Sequence, residues 1–325
     1  MKSENIFLSG DWGTTRFRLR LVQADTLLVQ AERQTDEGIA AVYADWQRQG
    51  ADPAGRLAFY RRILASHIRD LERGNGRPLG GVPVVLSGMA SSSLGMAELP
   101  YLSVPFAATN LIVSRFAEDS DFPNPLLVIS GARTATDVMR GEETQLAGCL
   151  ADEPPVGRRL FVLPGTHAKH AVVQKGQVTD FRTFMTGEIF SLLTKHSVLA
   201  VSVQPNADFE TYRAAFLQGV QDGYCNPLLN ALFRVRTRQL FGECPPPENH
   251  HYLSGLLVGA ELAAVRPGDF DAITLLADGI QRQVYEAAFR TLFDAPPTVR
   301  SADEALLRGQ KEIWNAFKGS EAWHQ

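Results

Sequence analysis

The stretch Gly10-Asp11-Trp12-Gly13-Thr14-Thr15 sets a carboxylate beside glycine and hydroxyl residues across a turn. That combination suits a polyphosphate and its metal. Glycine lets the backbone approach a bulky anion, and turn N–H groups and threonine hydroxyls donate to phosphate oxygens. Asp11 repels phosphate itself but can hold the water shell of a Mg2+ that phosphate binds. Asp-x-Gly also occurs in ordinary hairpin turns, so the assignment depends on partners elsewhere. One partner is a second Gly-Thr turn, Pro164-Gly165-Thr166-His167, with Lys169 just beyond it. Another is the segment holding Asp137, Arg140, Glu142 and Glu143. Phosphoryl transfer needs phosphates cradled, charge neutralised and an acceptor hydroxyl held in line, with little covalent chemistry from the protein.

The elements that must position these groups read as follows. Asn5 to Ser9 and Phe17 to Val22 are strands on either side of the first turn, and Leu27 to Glu32 completes an antiparallel meander. Arg159 to Leu163, Lys169 to Gln174 and Gln177 to Phe184 repeat that layout, with a tight turn at Lys175-Gly176. The repeat is one of layout, with little residue identity. Val82 to Leu86, Leu126 to Ile129 and Ala272 to Leu276 read as short buried strands. The first of them runs into the small-residue loop Ser87 to Ser93, which could wrap a polar ligand. Residues 57–73 carry an apolar stripe (Leu57, Tyr60, Ile63, Leu64, Ile68, Leu71) closed by Gly74-Asn75-Gly76, the pattern of an amphipathic helix. Further helices are expected from Glu142 to Leu150, at 187–199, 208–222 and 227–239, from Leu253 to Val265 after a Pro245-Pro246-Pro247 loop, and at 279–293 and 302–318. Asp152-Glu153-Pro154-Pro155 breaks the pattern and marks a domain boundary.

Composition excludes several classes. A chain of 325 residues is too long for one comfortable core, so two domains are expected. Its formal charge of −4 argues against a nucleic-acid-binding surface. Three dispersed cysteines (Cys149, Cys225, Cys244) indicate neither a disulfide framework nor a zinc site. There is no long apolar stretch near the start, and no run of about 18 apolar residues to span a bilayer. A cytoplasmic enzyme with no membrane partner is the expected class; exposed strand or helix faces could support a homodimer.

Five segments together resemble the 2-dehydro-3-deoxygalactonokinase family, of the actin/hexokinase/Hsp70-like ATPase superfamily. They are Asp11-Trp12-Gly13-Thr14-Thr15, Met139-Arg140-Gly141-Glu142-Glu143-Thr144-Gln145, Pro164-Gly165-Thr166-His167, Asp180-Phe181-Arg182-Thr183 with Met185-Thr186-Gly187-Glu188, and Leu253-Ser254-Gly255-Leu256-Leu257. The resemblance spans nearly the whole chain in order. It departs from the family pattern at His170, where an aromatic follows the lysine, and at Arg16, where a small polar residue is frequent. It implies two actin-like, ribonuclease H-like α/β domains around an interdomain cleft, each a mixed sheet with an N-terminal antiparallel meander and flanking helices. Residues 1–151 would form the sugar-acid side and 152–301 the nucleotide side, with 302–325 packing back on the first. It implies ATP and Mg2+ as cofactors and phosphorylation of 2-dehydro-3-deoxy-D-galactonate at its 6-hydroxyl, in galactonate degradation.

The resemblance also implies roles. Asp11 would serve the metal shell, and Gly13, Thr14, Thr15, Gly165 and Thr166 would cradle phosphate, with His167 and Lys169 near enough to touch it. Gly279, in the Ala277-Asp278-Gly279 turn, would border the adenosine. Glu142 is the preferred base or orienting carboxylate, with Glu143 and Asp137 as alternatives, because adjacent helical residues point about 100° apart. Arg140 would grip the substrate carboxylate, or else pair with one of the glutamates. Ser87, Gly88, Met89 and Arg16 complete the expected substrate contacts.

Overall fold

The computed structural model describes residues 5–50, 52–151 and 156–318. In chain order the elements are β1 (Ile6–Trp12), β2 (Phe17–Gln23), β3 (Leu28–Thr35), α1 (Ile39–Arg48), α2 (Arg56–Asn75), β4 (Val84–Gly88), β5 (Leu102–Ser103), β6 (Phe106–Ala107), β7 (Val113–Phe116) and β8 (Leu126–Ile129). There follow β9 (Ala132–Arg133), β10 (Val138–Met139), α3 (Glu142–Leu150), β11 (Arg158–Leu163), β12 (Ala168–Gln174), β13 (Gln177–Phe184), α4 (Thr186–His196), α5 (Arg213–Cys225) and α6 (Leu228–Leu240). The last are α7 (Pro246–Leu262), β14 (Ala272–Leu276), α8 (Gly279–Leu292), β15 (Thr298–Arg300) and α9 (Ala302–Lys318).

The chain divides into two compact units, Met1–Pro155 with Gly176–Thr179 and Asp303–Gln325, and Val156–Lys175 with Asp180–Ala302. The segment Asp152 to Pro155, expected as the boundary, lies outside the described residues. In the first unit the sheet order is β3-β2-β1-β4-β8-β7. The β1–β2 and β2–β3 pairs are antiparallel, whereas β1–β4 and β4–β8 are parallel. In the second unit the strands run β13-β12-β11-β14-β15, with β11 antiparallel to β12 and parallel to β14, and β14 parallel to β15. A meander extended by two parallel strands beside its first member therefore occurs twice. That is the ribonuclease H-like arrangement of actin-like ATPases.

Strand periodicity explains how each sheet is buried. Along β1, Ile6, Leu8 and Trp12 enter a core with α1 and α2, while Phe7 points to the other face and packs with Leu307, Ile313 and Trp314 of α9. A sheet with parallel strands needs cover on both faces, and α9 supplies it on the second. In the other unit, Leu160, Val162 and Leu275 pack against Phe216 and Val220 of α5 and Phe289 of α8. Helices α5 and α7 cross almost backbone to backbone. A Cβ on Gly255 would lie 2.1 Å from the Phe216 carbonyl oxygen, and one on Gly259 would lie 2.1 Å from that of Val220.

Several features differ from the sequence-based expectation, among them the strand β15 and the later start of α5. Helix α1 was not anticipated, although Ile39, Val42 and Trp46 are buried at helical spacing. The prolines before α7 do not form a loop. Pro246 opens the helix, since proline's fixed φ and missing N–H are tolerated in a first turn. Between β4 and α3 the chain adds the short strands β5, β6, β7, β9 and β10, two to four residues each and too short for periodicity to reveal. Among the described residues no helix is long and apolar enough to cross a membrane.

Candidate active site

Both Gly-Thr turns are held by the same device. After the first, the N-terminus of α1 docks on the turn: the Gly38, Ile39 and Ala40 N–H groups donate to the Thr15, Gly13 and Thr14 carbonyls at 3.3, 2.9 and 3.0 Å. Orphan donors of a helix end thus find partners in the turn. Trp12 is fully buried and its Nε1 donates to the Glu37 carbonyl at 3.0 Å, which ties the same segment down. Gly38 allows the approach, because a Cβ there would sit 2.3 Å from the Thr15 carbonyl carbon. Thr14 and Thr15 remain exposed. In the second unit, the N-terminus of α4 docks on Gly165-Thr166. The Glu188 N–H donates to the Thr166 carbonyl at 3.0 Å, and a Cβ on Gly187 would lie 2.6 Å from the Gly165 carbonyl oxygen. Thr166 is likewise exposed.

Asp11 is the penultimate residue of β1, with its side chain 36% exposed. Burial raises its pKa above the ordinary carboxylate value, against the lowering effect of Arg18 and Arg20. Arg18 reaches Asp11 at 3.4 Å but is anchored by Asp303 of α9, at 2.7 and 3.1 Å. Arg20 joins Asp303 at 2.8 Å and Glu32 at 2.6 Å. The far end of the chain therefore organises the aspartate. Gln310 of α9 does the same for the strand ends, donating to the Gly10 carbonyl at 3.0 Å and to Ser87 Oγ at 2.9 Å.

Next to Asp11 lies the start of the Ser87 to Ser93 loop. A Cβ on Gly88 would be 3.5 Å from Asp11 Oδ1, and one on Gly141 would be 3.4 Å from the Gly88 Cα. Gly88 and Gly141 both have φ in the left-handed half of the map, at 83° and 110°, which a side chain would strain. Ser87, Ser91 and Ser92 of the loop are buried, while Ser93 is exposed. Ser87 is fully buried between Gly10 and Gln310, Ser91 Oγ reaches the Gly88 carbonyl at 3.5 Å, and Ser92 Oγ donates to the Met89 carbonyl at 2.8 Å. Ser87 is thus a support for the strand ends; Gly88 is buried as well, and Met89 is half-buried.

Arg140 does not pair through its side chain with either glutamate. Its Nη1 donates to the Ser91 carbonyl and to Ser91 Oγ, both at 2.6 Å, and the guanidinium stacks 4.2 Å from the Tyr101 ring centroid. Tyr101 gave no sequence signal. The glutamates separate clearly. Glu142 is half-buried and its Oε2 accepts the Arg140 N–H at 3.0 Å. Glu143 is fully buried, and its two oxygens accept the Gly141 N–H at 2.9 and 2.7 Å while Oε1 also accepts from Thr144 Oγ1 at 3.1 Å. Burial, reinforced by the Glu142 charge, pushes the Glu143 pKa up to about 8 from 4.5. The native state then holds the proton more tightly than the unfolded chain. Its contribution to stability is full below pH 4.5 and is lost as pH rises toward 8, by at most about 1.4 kcal/mol per pH unit. Helix α3 is pinned from behind by α9, since a Cβ on Gly148 would lie 1.9 Å from the Ala305 carbonyl oxygen.

Other expected residues fall as follows. Arg16 is exposed and 3.7 Å from Asp36. His167 pairs with Glu188, and Lys169 is buried, its Nζ donating to the His167 carbonyl at 2.8 Å. Asp137 is half-buried before β10. In the Asp180-Phe181-Arg182-Thr183 segment, Asp180 accepts the Phe181 N–H at 2.9 Å and Arg182 donates to the Ala264 carbonyl at 3.3 Å.

Beside the second turn, within the second unit, opens a cavity of about 460 Å3. Gly165 and Gly187 stand on its wall with Phe190, Leu257, Val284 and Tyr285. Ile280 and Gln281, directly after Gly279, line it too. His250 on the same wall is kept neutral, its pKa lowered to about 4 by burial and by neighbouring His251. The size and apolar lining suit the heterocycle of a nucleotide, with the exposed Thr166 turn alongside for phosphate.

The chain matches the model of the 2-keto-3-deoxy-galactonokinase family over residues 11–313. It is 34% identical over 317 residues to the 2-dehydro-3-deoxygalactonokinase of Escherichia coli (strain K12), covering 95% of this chain and 98% of that one. A candidate 2-dehydro-3-deoxygalactonokinase of Rhizobium meliloti (strain 1021) is 31% identical over 328 residues, covering 97% and 99%. The crystal structure of a candidate 2-dehydro-3-deoxygalactonokinase from Sinorhizobium meliloti superposes with a TM-score of 0.81 at 29% identity, covering 97% of both chains. The chain belongs to the 2-keto-3-deoxy-galactonokinase family.

Proposed function

We propose that this protein is a sugar-acid kinase that transfers the γ-phosphate of ATP to the 6-hydroxyl of 2-dehydro-3-deoxy-D-galactonate, a step of galactonate degradation. The names of its full-length relatives support the substrate. The observation that carries the nucleotide half is the cavity beside the Gly165-Thr166 turn, with Gly187 on its wall. The base lies against Phe190, Leu257 and Val284, and the phosphates run along Thr166. The sugar acid is held by the first unit, its carboxylate on Arg140, which Ser91 and Tyr101 hold in a fixed plane. Glu142 receives the proton of the 6-hydroxyl as that oxygen bonds to the γ-phosphorus and the bond to the leaving ADP oxygen breaks. Glu143, sealed and bonded to Gly141, holds the start of α3 in place.

The residues present fit Mg2+. Among the described residues no group of three or more His, Cys, Asp or Glu side chains forms a dedicated metal cage. Mg2+ keeps several waters and uses one or two carboxylates plus substrate phosphates, and Asp11 is a half-exposed carboxylate beside the phosphate-type turn. When bound, the ion neutralises charge on the β- and γ-phosphates.

Incubation with ATP and a panel of 2-keto-3-deoxy sugar acids tests the assignment. ADP release should depend on the sugar acid, with 31P NMR showing a 6-phosphate on the galactonate-derived compound. ATP consumption that ignores the acid would make the protein an ATPase, and preference for an epimer would change the substrate. Arg140→Lys should raise the KM for the sugar acid by about 10- to 100-fold and leave that for ATP unchanged, since lysine cannot form the planar fork. Glu142→Gln should lower kcat by about 10²- to 10⁴-fold. Glu143→Gln should instead flatten the fall in Tm between pH 5 and 8. Equal and small effects of the two on kcat would move the base to Asp137.

A further inference from the structure

A carboxylate lies sealed beneath the nucleotide cavity. Glu261 of α7 has a side chain only 1% exposed. It accepts from Tyr285 Oη at 2.7 Å, bonds His170 Nε2 at 2.9 Å, and accepts from the Thr186 hydroxyl. These partners come from α8, β12 and the first residue of α4. Thr186 and Tyr285 are also wall residues of the cavity, and Thr186 precedes the glycine that presses on the Gly165-Thr166 turn. Helix α4 has no fully buried residue of its own, and the part-buried Thr186–Glu261 bond ties down the end that meets the turn. His170, one of the two departures from the family pattern, packs against Phe184 with ring centroids 4.4 Å apart and the planes tilted by 43°, and supplies the third bond. A buried carboxylate is costly unless its lone pairs are fully used, and apolar packing could fill the same volume.

We propose that Glu261 is a positioning residue for the nucleotide: it locks Thr186 and Tyr285, and through Thr186 the N-terminus of α4, in the arrangement that receives it. Preorganising the wall removes an ordering cost from binding. The inference rests on the nucleotide reading of the cavity, and the experiment separates the two. Calorimetric titration with ADP is made on the full-length protein and on Val284→Trp, Glu261→Gln, Thr186→Val, Tyr285→Phe and the Glu261→Gln/Thr186→Val double variant. Val284→Trp fills the cavity and should abolish binding. If it binds ADP like the unmodified protein, the nucleotide reading fails and the inference with it. Glu261→Gln should weaken ADP about tenfold, which corresponds to the loss of about one or two hydrogen bonds. Thr186→Val should weaken it similarly, and the double variant should be no weaker than Glu261→Gln alone, because both act through one bond. The KM for the sugar acid should not move. If Glu261→Gln does not fold, Thr186→Val and Tyr285→Phe, which each remove one hydroxyl, carry the test. Unchanged ADP affinity in those two, or additive losses in the double variant, would overturn the proposal while leaving the cavity assignment standing.

Discussion

Asp11→Asn should lower kcat by about three orders of magnitude and leave the fold intact. The magnitude follows from the charge. A carboxylate that fixes the cation on the transferring phosphate contributes several kcal/mol of transition-state stabilisation, and each 1.36 kcal/mol is about tenfold in rate. The substitution is isosteric, so the end of β1 and its pairing with β2 and β4 keep their shape. Stability should be unchanged or slightly higher. Burial raises the Asp11 pKa, which means the fold disfavours the charge that asparagine removes. Arg18 loses only the 3.4 Å contact and keeps both bonds to Asp303. Steady-state kinetics alongside a thermal melt decide the matter. A near-normal kcat would remove Asp11 from the metal role, and a large drop in Tm would make it a structural residue.

Gly187→Ala should be nearly as damaging for a different reason. The new Cβ would meet the Gly165 carbonyl oxygen at 2.6 Å and the Thr166 Cα at 2.8 Å, and both are backbone atoms that cannot rotate aside. Either α4 or the Gly165-Thr166 turn must shift on the order of 1 Å. Misplacement of that size can cost about 10²-fold in rate, and overpacking costs about 1–3 kcal/mol of stability. Gly38→Ala should act in the same way on the first turn, where the contacts are closer still. Gly74→Ala is the control, because a Cβ there, within α2, meets nothing within 4 Å. It should be neutral or stabilising by up to about 1 kcal/mol. Measured kcat/KM for ATP in Gly187→Ala close to that of the Gly74→Ala control would show that the second turn carries no phosphate.

Much of the local architecture was readable from the chain. The two meanders follow from period-two alternation and from turns of glycine and threonine. Helix α2 follows from its apolar stripe, and it ends where Gly76 can take a left-handed conformation, φ 68°. These signals lie within a few residues of one another. Helix α1 carried such a signal in Ile39, Val42 and Trp46, but the short segment between a strand and a glycine-rich stretch reads as loop unless that spacing is tested.

The residues of the site were legible as types, while their standing relative to one another was not. Sequence alone marked Asp11, the two Gly-Thr turns, Arg140 and the Glu142-Glu143 pair as candidates for phosphate and hydroxyl chemistry on a repeated α/β layout. Tertiary structure decided which glutamate is sealed, that Ser87 spends its hydroxyl on Gly10 and Gln310, and that Arg140 lies on Tyr101. It also brought Asp303 to Arg18 and gathered His170, Thr186 and Tyr285 around Glu261. The physical reason is one of range. Strand alternation, helical stripes and turn chemistry are set by neighbours along the chain, whereas burial and hydrogen-bond partners depend on residues that only folding brings within about 3 Å.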